Sequence, residues 1–105
     1  MEALAVPSPA PDPLARLQAL VLDSVPSPLT KRAYGQALDE FLSWHRREQP
    51  GPLSKAVVQR YRATLDGRLS PSSINKHLSA IRKLVNEAAD NGLLPLDVAA
   101  SIGHV

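Results

Sequence analysis

Two short clusters of polar and basic residues carry the chemistry that this sequence can offer. The first is Thr30, Lys31, Arg32 and Gln36; the second is Ser72, Ser73, Lys76 and, a turn later, Ser79 and Lys83. Each cluster follows a Ser-Pro pair, Ser27-Pro28 or Ser70-Pro71. Serine is a strong N-cap, and proline suits the first helical position, where its missing N–H costs nothing. Both clusters therefore fall at helix starts. Unpaired N–H groups and a partial positive charge there attract anions such as phosphate, and hydroxyls or basic side chains add charge-assisted hydrogen bonds. The same residues also read as ordinary caps and an ordinary solvated face, and composition alone does not separate the two.

Other chemistry finds little support. The chain has no cysteine, and His45, His77 and His104 lack metal-ligand spacing. No glycine-rich phosphate loop is present, and Tyr34 and Tyr61 fall at core-facing positions. No cofactor, metal site or catalytic centre is expected. His77 lies between an apolar stripe and the outer face, so a structural hydrogen bond and a phosphate contact are both open to it. Arg82 lies on a flank of the same helix. Trp44 reads as a core anchor, and Arg46 and Arg47 behind it are favoured at a helix C-terminus whatever the function. Arg60, Arg62 and Arg68 could extend a basic rim on a side that the sequence does not specify. Asp39 and Glu40 would repel phosphate, which leaves only the first two turns of the second helix to face it.

The distribution of charge agrees with a basic middle. The net charge of the 105 residues is only +2, yet residues 30 to 83 hold eleven bases against four acids, while both flanks are acidic. With 44% hydrophobic residues the chain can hold one small core. No apolar run has the length of a membrane span, and the N-terminus lacks the pattern of a signal peptide. A cytoplasmic protein is the expectation.

Short helices must position these clusters. Residues 1 to 13 place Pro7, Pro9, Pro11 and Pro13 among alanines and serine, which predicts an extended or flexible leader. Leu14 to Leu22 reads as a first helix with Leu14, Leu17 and Val21 in register, widened by Leu20 and Leu22. The second runs from Pro28 to about Arg47, burying Tyr34, Ala37, Leu38, Phe41 and Trp44. Ser54 caps a third with Val57, Val58, Tyr61 and Leu65 inward. The fourth opens at Ser70, buries Ile74, Leu78, Ile81, Val85 and Ala88, and stops at Gly92. Pro95 starts a short last helix that could dock through Leu96, Ala99 and Ile102. Strand signals are absent, so the prediction is an all-α bundle of four to five helices.

The order and spacing of these residues resemble a known family. SPLTKRAYGQALDEFLSWH, LSKAVVQRYRATL and LSPSSINKHLSAIRKLVNEAADNGLLPLDVA together are similar to the N-terminal core-binding domain of tyrosine recombinases, the phage integrase group. The likeness spans Leu14 to Ile102. It implies a SAM-like bundle over residues 14–102, whose second and fourth helices cross and enter the major grooves of double-stranded DNA. It places Thr30, Arg32, Ala33 and Gln36 at DNA, with Ser72, Ser73, Lys76 and Ala80. Lys31, His77, Ser79, Arg82 and Lys83 complete the candidate surface. Ala33 and Ala80 could offer only methyl contact, as to a thymine, so phosphate contact should dominate. In the family a separate domain cuts DNA with a tyrosine nucleophile, and four protomers join two duplexes. The resemblance thus implies a non-catalytic chain, self-association through the first and last helices, and an interdomain linker beginning at residues 103–105.

Two other classes compete. A helical module that binds protein would use the leucine-rich first helix and leave the basic block merely solvated. A helix-turn-helix repressor would place its two DNA helices next to each other in sequence, whereas a third helix separates them here.

Overall fold

The computed structural model describes residues 13–105, with side chains from Leu14 onward. Five helices follow in order: α1 (Pro13–Asp23), α2 (Pro28–Glu48), α3 (Lys55–Leu65), α4 (Pro71–Asp90) and α5 (Leu96–Ile102). No strand occurs among the described residues, and the fold is an all-α bundle. The leader expected over residues 1 to 13 lies outside the described residues except for Pro13, which opens α1 instead.

Local chemistry sets the boundaries. Ser27, Ser54 and Ser70 each take extended backbone, and each hydroxyl accepts from the N–H three residues on, those of Thr30, Val57 and Ser73. Proline occupies the first turn of α2 and α4. At its C-terminus α2 runs one residue past Arg47, to Glu48, and ends where Gln49 adopts the left-handed conformation, its N–H donating to the His45 carbonyl. The His45 ring closes the same turn. Its Nε2 lies 2.9 Å from the Gly51 carbonyl, which can only accept, so this nitrogen carries the proton.

The long helices α2 and α4 pack on each other more extensively than any other pair, and α1 lies against both. Their stripes meet in one core containing Leu38, Phe41, Tyr61, Leu65, Ile81, Leu84, Val85 and Ile102. Phe41 and Tyr61 stand edge to face with centroids 4.9 Å apart, an arrangement that ring quadrupoles favour. Leu42 and Leu84, which the simple stripes omit, are also buried because each long helix has neighbours on more than one side.

Three expectations about apolar residues are corrected. Leu96 does not dock with Ala99 and Ile102: it is 73% exposed, although Leu94 and Val98 on either side of it pack against the core. Leu20 is likewise exposed rather than packed, and Tyr34 is half-buried rather than buried, although it packs against the core as its position predicts. Residues 103–105 wind on from α5 through carbonyls of Ala99, Ser101 and Ile102, and Val105 packs against the core.

Candidate nucleic-acid interface

The first turns of α2 present Lys31, Arg32, Ala33 and Gln36 on exposed positions, while Thr30 is half-buried beside the Ser27 cap. On α4, Ser72, Lys76 and Lys83 are exposed, and Ser73, His77, Ser79 and Arg82 are half-buried. The Ser73 hydroxyl is already engaged, 3.2 Å from the Ser70 hydroxyl.

One candidate is overturned. Ala80 has no exposed surface and belongs to the core, so its methyl group cannot reach a base. The stripe of Ile74, Leu78, Ile81 and Val85 alone does not include it; α4 packs against helices on more than one side, which widens its buried face. Arg82 is turned toward the chain's end, where its Nη2 donates to the Val105 carbonyl at 3.3 Å.

Ion pairing divides the basic residues into two groups. Arg47 and Arg60 lie 3.5 and 3.8 Å from Glu48, Arg62 lies 3.6 Å from Asp66, and Arg68 lies 3.6 Å from Glu40. The Arg60 guanidinium also stands 5.8 Å over the Trp44 ring. These exposed pairs contribute little stability, but each cancels local charge. Among the described residues, Lys31, Arg32, Lys76 and Lys83 form no ion pair. Three carboxylates thus offset most of the charge on Arg47, Arg60, Arg62 and Arg68, Glu48 being shared by two of them, while Lys31, Arg32, Lys76 and Lys83 keep their charge uncompensated.

The acids of α2 are not the simple solvated repellents expected from sequence. Asp39 accepts from Gln18 Nε2 at 2.7 Å, tying α2 to α1. Glu40 receives the Tyr61 hydroxyl at 3.4 Å and faces Arg68 and His77. Burial, then the nearby Glu40 carboxylate and its hydrogen bond, hold the Tyr61 phenol well above its usual range, with Arg68 acting weakly in the other direction. The Glu40 cluster escaped sequence reasoning because its members come from three elements with no shared local spacing. Among the described residues no group of histidines and carboxylates could hold a metal, and no helix is long and apolar enough to cross a membrane.

Five helices without strands among the described residues, the long α2 and α4 each opened by a serine cap, make a small SAM-like bundle. The comparisons give the family: residues 17–92 match the phage integrase N-terminal SAM-like domain, and the chain belongs to that family. It is 35% identical over 97 aligned positions to tyrosine recombinase slr0733 of Synechocystis sp. (strain ATCC 27184 / PCC 6803 / Kazusa), covering 76% of this chain. The match takes in 31% of that relative, so the chain spans less than a third of its length. No solved structure matches the chain.

Proposed function

We propose that this chain is the duplex-DNA-binding domain of a site-specific tyrosine recombinase or integrase, gripping DNA with the starts of α2 and α4. The observation that carries the reading is the uncompensated charge on the outer faces of α2 and α4: Lys31, Arg32, Lys76 and Lys83 lack carboxylate partners among the described residues, as Arg16 and Lys55 also do, while Arg60 and Arg62 of α3 have them. Unpaired bases near two capped helix starts suit a ligand that carries phosphates along its length. The relative named above is a tyrosine recombinase, which supports integration or recombination of DNA as the setting. In this reading the chain binds DNA in the cytoplasm without cutting it, and the tyrosine chemistry belongs to another domain. Self-association into a synapse of four protomers would use α1 and α5.

The test is a fluorescence anisotropy titration of the chain with a random-sequence duplex at two salt concentrations. Binding should weaken steeply with salt and be reduced in Lys76→Ala. Absence of binding at low salt sinks the reading for this chain.

The exposed leucines support a second reading as a protein-binding helical module. Leu20 and Leu93, 48% and 53% exposed, line one shallow pocket with Leu17, and Leu96 is 73% exposed. Salt-insensitive capture of a protein partner by this face, with no affinity for duplex, would favour it.

A further inference from the structure

One carboxylate oxygen gathers groups from three other parts of the fold. Oε1 of Glu40, on α2, lies 3.4 Å from the Tyr61 hydroxyl of α3, 3.6 Å from Nη2 of Arg68 and 3.9 Å from Nδ1 of His77 on α4. Arg68 belongs to the turn between α3 and α4 and is held at a second point, its Nε donating to the Thr64 carbonyl at 3.2 Å. Nδ1 of His77 is buried without a hydrogen-bond partner, and Glu40 is the anion that faces it. Three of these residues adjoin the candidate interface along the chain. Glu40 is one helical turn beyond Gln36, Arg68 is two residues before the Ser70 cap, and His77 follows Lys76.

We propose that Glu40 is a positioning residue of the DNA interface. Its carboxylate fixes the start of α4 against α2 and clamps Arg68 so that the free part of the guanidinium is available to a phosphate. The inference rests on the DNA-binding reading above and deepens it. A carboxylate beside bound DNA repels it, so a Glu40 with no positioning role would weaken affinity, and neutralising it would tighten binding. A guanidinium already held by two acceptors surrenders less freedom when it meets a phosphate, and two helix starts held in register engage a rigid duplex together. Loss of the carboxylate then weakens binding although a negative charge has been removed. Arg68 thereby joins the phosphate-contacting set.

The experiment uses the full chain and a random-sequence duplex, with Glu40→Gln, Arg68→Gln and the double variant. Glutamine keeps the size of the side chain and an acceptor for the Tyr61 hydroxyl. Glu40→Gln should bind about fivefold more weakly with thermal melting little changed, and the losses from the two substitutions should be non-additive, as for residues in direct contact. Tighter or unchanged binding by Glu40→Gln, or strictly additive losses, overturns the proposal. Should Glu40→Gln not fold, Arg68→Lys decides. Lysine keeps the charge but not the clamped fork, so affinity should fall nearly as far as in Arg68→Gln, and full retention overturns the proposal. A wild-type chain that binds no duplex would remove the DNA-binding reading and this inference with it. Wild-type binding with indifferent variants removes the inference alone.

Discussion

Lys76 and Ala80 stand one turn apart on α4 and meet opposite surroundings: Lys76 is exposed and without an ion pair among the described residues, while Ala80 has no exposed surface. The exposed strip of α4 that carries Lys76 is therefore bounded on one flank by the buried Ala80 and on the other by the half-buried Arg82.

Replacing the exposed, unpaired bases of α2 and α4 should change the salt dependence of binding. Each of Lys76→Ala and Arg32→Ala is expected to flatten the slope of log K against log salt by about 0.9, the contribution of one neutralised phosphate. Arg62→Ala should leave it unchanged, because Asp66 already neutralises that guanidinium. Anisotropy titrations over a salt series give all three slopes. Equal slopes for wild type and Lys76→Ala would show that α4 does not meet phosphate.

Ala80 should respond as a core residue. Ala80→Leu forces extra methyl groups into filled space and should cost about 1–3 kcal/mol of stability. Leu78→Ala, at a side chain only 3% exposed, should cost about 2–5 kcal/mol through lost burial and a residual cavity. Urea unfolding followed by circular dichroism measures both. A stability unchanged by Ala80→Leu would mean that this flank is open after all.

The cap that opens α4 has its own signature. The Ser70 hydroxyl accepts from the Ser73 N–H at 3.2 Å, so Ser70→Ala should destabilise the fold by about 1 kcal/mol. Ser70→Gly should cost less, since glycine tolerates the cap conformation. Equal losses in thermal unfolding for the two would argue against a capping role.

Alkaline pH should weaken the fold through Tyr61. Its phenol ionises at the ordinary value of 10.0 when unfolded, and higher in the folded chain because of burial and Glu40. A raised folded value means that the stabilisation is fully present below the unfolded value. It is lost as pH climbs beyond that value, by at most about 1.4 kcal/mol per pH unit. Urea midpoints between about pH 8 and pH 11 should therefore fall more steeply for wild type than for Tyr61→Phe, which has no proton to lose there. Parallel curves would show that Tyr61 does not ionise differently in the two states.

What the sequence by itself determined is local. Ser27, Ser54 and Ser70 set three helix starts, and Gly92, with its positive φ, falls in the turn that closes α4. The stripes of Ile74, Leu78, Ile81, Val85 and Ala88 pointed inward, as their 3.6-residue period requires. Capping and periodicity act within a few residues, so a chain can be read for them without its fold. The exposed bases of α2 and α4 were legible for the same reason.

Tertiary structure decided which neighbour covers each flank. Ala80 has no exposed surface although it lies off the main stripe of α4, and nothing in its own turn says so. Leu96 has the character of a core residue but is left exposed between Leu94 and Val98, both of which pack against the core. The acceptor for Tyr61 lies 21 residues away on another helix, and the partners that neutralise Arg60 and Arg68 are likewise carried by α2. Such contacts depend on how the helices cross. Crossing is set by the summed packing of whole faces rather than by any local spacing.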